Sequence, residues 1–395
     1  MSEHGHQRGQ AGYARFSGSL FAAGFATFLQ VFDAQALIPA ISEQEGMSAA
    51  TAALTLSATT IGLAISVLPW SAYADRRGRV SAMKLSLLSA TALAFLVPFV
   101  PGFAGVLFLR FALGLALGAV PAVAMAYIAE EMHPRAATVA AGTFVAGNSI
   151  GGIVGRLLAG FLGDVMDWRA VFFVMAVVGT LSAAAFWILV PEPRAVRHAE
   201  PPRLATAVAA TLRNRTMVAL FAQGFLLMGA FAGIYNYIGV RLVDEPFSIP
   251  ASVVGLLFLI YLFGTVASRV SASAADTYGH RRVMRIGIVT MAAGMLITLP
   301  NYLPMVILGF VIFTVGCFSS HPIASGLSGR LAHEHRAQAS ALYQFSWLAG
   351  SSLLGWFLGV VEGHTSWTGL IVGSTMLCGL ALVATTALPE DISRG

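Results

Sequence analysis

The feature that most constrains this chain is a series of long stretches without a charged side chain. The longest, residues 286–329, runs for 44 residues without Asp, Glu, Lys or Arg. About 20 apolar residues are enough to cross a bilayer core of about 30 Å. Only 10% of all residues are charged and 57% are hydrophobic, which is too few charges for the polar surface of a soluble protein. The sequence therefore predicts a polytopic membrane protein and excludes soluble enzymes, disordered tails and disulfide scaffolds.

Twelve of these stretches are long enough to span a membrane as helices. The charge-free run 286–329 is too long for one crossing, so we divide it at Pro300, Asn301 and Pro304, because these residues break or end helices. The predicted spans are 16–41, 52–74, 82–100, 104–128, 137–162, 168–190, 216–240, 252–272, 283–299, 303–328, 337–361 and 367–388.

Basic residues lie mostly on one side of the predicted membrane. Eighteen of the 23 Lys and Arg residues fall in the tails or in the loops that follow even-numbered helices, whereas the opposite loops hold only Arg169 and Arg241. The positive-inside rule then predicts that both termini are cytoplasmic. Because the net charge of +5 is spread over short loops and not along one face, we expect no nucleic-acid partner.

The chain contains an internal repeat. The segment Asp75–Gly78 (DRRG) recurs as Asp276–Gly279 (DTYG) at an offset of 201 residues, and Arg135 recurs as Arg336 at the same offset. Two similar halves in parallel orientation suggest a central site at their interface, opened alternately to either side. The predicted organisation is a tail 1–15, a six-helix half 16–190, a linker 191–215, a six-helix half 216–388 and a tail 389–395.

Three motifs resemble those of the major facilitator superfamily. Residues 71–79 (SAYADRRGR) resemble its loop between helices two and three, Arg110–Gly114 (RFALG) its fourth-helix motif, and Gly147–Arg156 (GNSIGGIVGR) the fifth-helix motif of proton-driven exporters. The resemblance covers essentially the whole chain. It implies an all-α membrane protein with twelve transmembrane helices in two pseudo-symmetric six-helix halves.

Shorter segments resemble one branch of that superfamily, the bacterial acriflavine-sensitivity-type inner-membrane transport proteins; these are residues 130–134 (EEMHP), 224–229 (GFLLMG) and 237–242 (YIGVRL). The branch implies a transporter, not an enzyme, in the bacterial inner membrane. It would export a small organic compound such as a drug, sugar or metabolite in exchange for protons, as a monomer in the bilayer and without a cofactor or metal.

Two alternatives stay open. The exporter motif of the fifth helix normally has Pro at Gly152 and Gly at Arg156, so import of a nutrient or organic anion with protons, or anion exchange, remains an alternative. A membrane sensor that binds without transporting is a more distant one.

Two charged residues inside spans are candidates for proton coupling. Asp33 lies in the first helix and Arg110 in the fourth, and because these helices run in opposite directions the two side chains reach nearly the same depth. Charges inside a bilayer cost several kcal/mol, so each needs a partner or a function. We predict that the pair meets within the N-terminal half and exchanges a proton. The alternative is a permanent ion pair that joins two helices.

Further polar residues within spans are candidates for the substrate cavity. Arg156 could contact an anion or could extend to the outer interface. His321, which precedes Pro322, could relay protons or contact substrate, or could be a packing residue. For the uncharged candidates the alternative is hydrogen bonding between helices; they are Gln30, Gln35, Asn148, Tyr235, Asn236, Tyr261 and Gln344.

The repeated loops are candidates for gating. The resemblance implies that Asp75 approaches the N-terminus of helix eleven, where the helix dipole favours an anion, and Asp276 could do the same at helix five. Simple marking of topology is the alternative. The predicted gating residues are Asp75, Arg76, Gly78, Arg79, Asp276, Gly279, Arg135 and Arg336. Glycines at four-residue spacing predict close helix packing, namely Gly114, Gly118, Gly147, Gly151 and Gly155.

Overall fold

The structure is a computed structural model that describes residues 11–191, 204–332 and 336–389. Every regular element within these ranges is helical. Residues 192–203 of the predicted linker and the outermost parts of both tails lie outside the described residues.

Eight helices, numbered in chain order, form the N-terminal part. They are α1 (Ala11–Phe32), α2 (Ile38–Glu45), α3 (Ala49–Arg77), α4 (Arg79–Leu96), α5 (Phe103–Leu117), α6 (Ala119–Glu131), α7 (Pro134–Gly163) and α8 (Trp168–Leu189). The predicted first span is therefore two helices, α1 and α2, joined by a 3-10 turn at Gln35–Leu37. Pro39 cannot donate to the carbonyl of Gln35, four residues earlier, which favours this break.

The C-terminal part also has eight helices. They are α9 (Leu204–Arg213), α10 (Arg215–Val243), α11 (Ala251–Gly255), α12 (Tyr261–Tyr278), α13 (His280–Ile297), α14 (Leu303–Arg330), α15 (Arg336–Thr365) and α16 (Trp367–Ala384). Helix α13 ends and α14 begins on either side of Pro300, where the long charge-free run was predicted to divide. The predicted eighth span is interrupted by a 3-10 turn at Leu256–Ile260.

Length and composition identify eleven candidate membrane spans among the described helices. The predicted ninth span coincides with α13, which is 18 residues long and is not one of the eleven. Its first turns contain Arg281, Arg282 and Arg285, which lower its mean hydropathy. The chain thus has the architecture of twelve membrane helices predicted from the sequence. Its ninth membrane helix, α13, is more polar than the others.

The described residues fall into two compact units. The first contains those within Met1–Ala40 and Ala58–Pro201, and the second those within Ile41–Ser57 and Pro202–Gly395. The N-terminal part of α3, up to Ser57, belongs to the second unit, where the Ser57 hydroxyl donates to the carbonyl of Ser352 at 3.2 Å.

The glycines of α7 face the backbone of α1. A Cβ on Gly151 would lie 2.5 Å from the carbonyl oxygen of Phe25, and a Cβ on Gly155 would lie 2.7 Å from that of Leu29. Gly147 is equally close to Phe21. The predicted close packing of this glycine stripe therefore occurs against α1, because only a residue without a side chain permits this approach.

Glycines also permit close helix packing elsewhere in both units. Gly114 on α5 leaves no room for a Cβ beside the carbonyl of Thr59, and Gly118 leaves none beside the hydroxyl of Ser66. In the second unit, Gly350 on α15 packs against the carbonyl of Phe225 on α10. That contact repeats the one between Gly151 and Phe25 almost 200 residues later, so the sequence repeat is also a repeat of helix packing.

The repeated loops share one backbone conformation. Gly78 precedes α4 with φ 94° and ψ 148°, and Gly279 precedes α13 with φ 89° and ψ 134°. Residues with a side chain rarely adopt a positive φ of this kind. The glycine that ends each copy of the D-x-x-G repeat therefore sets the turn into the third helix of its half.

The two basic residues predicted on the outer side each bind the end of a helix. Arg169 stacks on Trp168, with 4.3 Å to the ring centroid, and donates to the carbonyl of Val100 just beyond α4 at 2.9 Å. Arg241 stacks on Trp367 at 4.7 Å and donates to the carbonyl of Thr298 at the end of α13 at 2.6 Å. Each guanidinium satisfies carbonyl groups that a helix end leaves without partners.

Candidate functional site

Asp33 and Arg110 form a buried ion pair in the first unit. Nη2 of Arg110 lies 2.8 Å from Oδ1 of Asp33, and the two residues are 1% and 3% exposed. Arg110 also stacks on Phe172 of α8, with 4.8 Å to the ring centroid. Asp33 and Arg110, which were predicted to lie at a similar depth, are therefore in direct contact. A buried charge that loses its partner is strongly destabilised, so protonation of Asp33 would change what Arg110 binds.

The break after α1 places the Asp33 carboxylate at the end of a helix, where it can reach its partners. Helix α1 ends at Phe32, and Asp33 is the first residue beyond it. The amide of Asp33 still donates to the carbonyl of Leu29 at 3.0 Å. Gln35 follows within the 3-10 turn, so the four residues 32–35 present an aromatic ring, a carboxylate and an amide within one turn.

Arg156 is held against the same turn from α7. Its Nε donates to Oε1 of Gln35 at 2.6 Å and its Nη1 to the carbonyl of Gly152 at 2.8 Å. The guanidinium lies 3.9 Å from the ring centroid of Phe32. The residue is 4% exposed, so the alternative that Arg156 extends to the outer interface is wrong. A hydrogen bond to an amide and a cation–π contact keep it within the unit.

Asp33, Gln35, Arg110 and Arg156 together form what we call the N-terminal polar cluster. It has a formal charge of +1, since one carboxylate accompanies two guanidinium groups. Arginine presents a planar fork of donors that matches carboxylates and phosphates. The cluster can therefore do two things chemically: exchange a proton at Asp33 and hold an anionic group at an arginine.

Gln30 and Asn148, two further predicted cavity residues, lie in helix contacts near this cluster. Nε2 of Gln30 donates to the carbonyl of Ala26 at 3.1 Å, and its side chain packs against Gly179. Asn148 packs against Gly24. Within the described residues, the Oε1 of Gln30 and the Oδ1 of Asn148 are buried without a hydrogen-bond donor. Both oxygens are acceptors that a proton donor could still use.

Tyr235 and Tyr261 belong to an aromatic core in the second unit. The ring of Tyr235 lies 4.9 Å from that of Tyr261 and 4.5 Å from those of Phe231 and Phe310, measured between centroids. The hydroxyl of Tyr235 is 2.9 Å from that of Thr314. Here the ring and hydroxyl of Tyr235 are engaged in packing, and its contact with substrate stays a prediction. The adjacent Asn236 is buried near Gly355 of α15, and its role is likewise a prediction.

His321 on α14 is bonded to Tyr343 on α15. The Tyr343 hydroxyl lies 2.8 Å from Nδ1 of His321 and 3.1 Å from the carbonyl oxygen of the same histidine. A carbonyl only accepts, so the phenolic proton fits there and Nδ1 then donates to the tyrosine oxygen. This arrangement favours the tautomer with its proton on Nδ1 and leaves Nε2 as an acceptor. Trp347 stacks on the imidazole at 5.7 Å, and Gln344 is half-buried on the same helix.

The predicted gating loop of the first unit forms a charge network. Nη1 of Arg79 lies 2.7 Å from Oδ1 of Asp75, and its Nη2 lies 3.3 Å from Oε1 of Glu130. Arg76, in the last turn of α3, is exposed. The sequence did not indicate Glu130 as a partner, although it lies in one of the quoted motifs.

The corresponding loop of the second unit is simpler. Asp276 lies 3.8 Å from Nε2 of His280, which is 3.5 Å from Arg330. The side chains of Arg135 and Arg336 lie outside the described residues. The proposed contacts of Asp75 and Asp276 with the opposite half remain predictions.

Comparisons with known proteins agree on one family. The family model described as "Major Facilitator Superfamily" matches residues 20–244 and 240–394. The inner membrane transport protein YnfM of Escherichia coli (strain K12) is 36% identical over 97% of this chain and 92% of its own. The uncharacterized MFS-type transporter YybF of Bacillus subtilis (strain 168) is 32% identical over 95% and 94%.

A solved structure has the same fold. A bacterial homologue of the human lysosomal transporter Spinster superposes with a TM-score of 0.75 over 93% of this chain and 94% of its own, at 13% identity. At that identity the likeness concerns the fold alone.

Proposed function

The chain belongs to the Major Facilitator Superfamily, and we propose that it exports a small organic compound in exchange for protons. It is a multi-pass membrane transporter and not an enzyme, as its relatives are transporters by name. The proposal includes alternating access between the two halves, cytoplasmic termini and a functional monomer. A drug, sugar or metabolite is the proposed substrate class, and protons are the proposed coupling ion.

The buried pair of Asp33 and Arg110, 2.8 Å apart, is the observation on which the proposal depends. In the ionised state the two charges neutralise each other away from water. When the carboxylate takes up a proton, Arg110 loses its counter-charge and a conformation that offers another partner becomes favoured. A ligand or proton shifts such an equilibrium only through its different affinity for the two states. The pair of Asp33 and Arg110 supplies this difference in affinity when the ligand is a proton.

A proteoliposome assay tests this proposal. The purified chain is reconstituted with the pH indicator pyranine trapped inside, and cationic, anionic and sugar-like compounds are added outside in turn. In proton exchange, entry of a substrate expels protons, so the lumen becomes alkaline for one class of compound only. Flux of a compound without any proton movement would contradict proton coupling and would indicate a uniporter or exchanger.

Import or exchange of an organic anion is the second candidate function. Arg156 favours it, because a second buried arginine gives the N-terminal polar cluster a positive formal charge. In the same assay, symport of an anion with protons would acidify the lumen when the compound enters. A sensor would bind a compound but would give no counterflow of labelled substrate.

We expect Arg156→Gln to discriminate between substrate classes. For an anionic substrate that contacts Arg156, loss of a charged hydrogen bond worth about 1.5–3 kcal/mol raises KM by about tenfold or more. For a cationic or neutral substrate, KM should stay the same or fall. KM is measured by counterflow, with Arg269→Gln, an exposed position on α12, as the matched control. An unchanged KM for every transported anion would exclude Arg156 from the substrate site.

A further inference from the structure

The second copy of the repeat has a histidine where the first copy has an arginine. Arg79 follows the first D-x-x-G segment, and His280 occupies the same position at the offset of 201 residues. In the first unit, Arg79 lies 2.7 Å from Asp75 and 3.3 Å from Glu130, so a permanent cation binds two carboxylates. In the second unit, the corresponding side chain changes its charge between about pH 5 and 8.

The partners of His280 also differ from those of Arg79. Nε2 of His280 lies 3.8 Å from Oδ1 of Asp276 on α12 and 3.5 Å from Nη1 of Arg330 at the end of α14. The other helix that packs against α13 is α16, which has no charged residue. Within the described residues, the imidazole therefore faces one carboxylate and one guanidinium.

Only one of these two partners can use Nε2 at a time. His280 is 8% exposed, and its Nδ1 has no hydrogen-bond partner within the part of the chain that the structure describes. A neutral imidazole with its lone pair on Nε2 accepts from the guanidinium of Arg330. An imidazolium has a proton on Nε2, so it repels Arg330 and is attracted to Asp276. The charge of the ring therefore selects its partner.

The surroundings of His280 favour the neutral form. The residue lies three positions before the predicted ninth span and outside the eleven candidate spans. Burial lowers the pKa of His280, the nearby charge of Arg330 lowers it further, and Asp276 opposes both effects. The imidazole is therefore neutral at neutral pH and binds a proton when the predicted cytoplasmic side becomes acidic.

We propose that His280 is a second proton-binding site, distinct from Asp33, and that it regulates the cytoplasmic gate of the second unit. Uptake of a proton moves the contact of the imidazole from Arg330 to Asp276. The side chain of Asp276 is 76% exposed, and this residue is a predicted gating residue. Its carboxylate is available for the gate only while His280 is neutral. The regulatory role rests on the proposed transport function, whereas proton binding does not.

Proton binding at His280 is measured without any substrate. The full chain with isotopically labelled histidine is titrated by NMR in nanodiscs between about pH 5 and 8, and the signal that is missing in His280→Gln identifies the residue. Its pKa should rise in Arg330→Gln, because a repelling cation is removed, and should fall in Asp276→Asn. The control His364→Gln, at an exposed position of α15, should leave it unchanged. A pKa that responds to neither Arg330→Gln nor Asp276→Asn would overturn the proposal.

The regulatory role is measured by substrate counterflow with the same pH on both sides of the membrane. The rate of each variant is divided by the native rate, because this ratio cancels the protonation of Asp33. For His280→Gln the ratio should be about one near pH 8 and should depart from one as the pH falls, since glutamine stays neutral. His280→Arg restores the residue of the first unit and stays charged, so its ratio should approach one only at acidic pH.

Two outcomes would contradict the regulatory role. A ratio for His280→Gln that does not change with pH would show that the gate ignores the charge of this residue, even if the imidazole titrates as expected. Absence of counterflow in the native chain would contradict the transport function and the regulatory role with it, whereas the NMR titration would still decide proton binding. The control His364→Gln should give a ratio of about one throughout the range from pH 5 to 8.

Discussion

Asp33→Asn abolishes proton-driven accumulation of substrate while substrate counterflow continues; this is the largest functional effect that we expect. With one proton exchanged per substrate, a gradient of one pH unit supports about a tenfold concentration ratio across the membrane. The variant should reach a ratio of about one, since asparagine cannot take up or release the proton. Pyranine in the lumen should record no proton movement when substrate enters.

The stability of this variant has to be measured separately. Removing one partner of a buried ion pair costs about 3–5 kcal/mol when the other charge stays buried. Arg110 keeps its contact with Phe172, but its carboxylate partner is gone. The double variant Asp33→Asn/Arg110→Gln removes both charges and should regain part of the lost thermal stability without regaining coupling.

A matched control separates coupling from a general effect of losing a carboxylate. Glu43→Gln makes the same chemical change at an exposed position of α2 and should retain the tenfold ratio. If Asp33→Asn still accumulates substrate as the native chain does, Asp33 and Arg110 are a structural pair. The proton site must then lie elsewhere, and His321 would be the next residue to replace.

The proximity of Asp33 and Arg110 could be anticipated from sequence, but their other partners could not. The depth of each side chain in the membrane follows from counting residues along two helices of opposite direction. That count does not require knowing how each helix is rotated about its axis. The stacking of Arg110 on Phe172 depends on how α5 and α8 are turned about their axes. These spans are apolar all round, so no amphipathic pattern indicates which face meets which neighbour.

The same reasoning explains the outcome at Arg156. From sequence, an anion contact and an extension to the interface were both open, because each needs only a long side chain near a helix end. The structure decides against the interface through Gln35 and Phe32. Their position depends on the break after α1, whereas one continuous span, 16–41, was predicted from the sequence in spite of Pro39. Prolines within membrane spans are common, so this signal was not specific.

Glycine spacing was the most informative local pattern, and it leads to the second large effect that we expect, a loss of stability. Gly151→Ala should destabilise the chain by about 1–3 kcal/mol, as overpacking does in a close-packed interface. The added methyl would lie 2.5 Å from the carbonyl oxygen of Phe25, and the backbone of α1 cannot yield as a flexible side chain could. We expect a clear fall in the Tm of the purified protein.

Gly142 provides the matched control on the same helix. A Cβ at Gly142 has no neighbour within 4 Å, so Gly142→Ala only removes the flexibility of glycine. The free energy of unfolding should stay the same or rise by up to about 1 kcal/mol, and the Tm should stay the same or rise with it. Gly350→Ala should repeat the loss in the second unit, because the carbonyl of Phe225 blocks it in the same way. Equal Tm values for all three variants would mean that α1 and α7 can separate at little cost, and that the glycine stripe is a sliding seam and not a rigid contact.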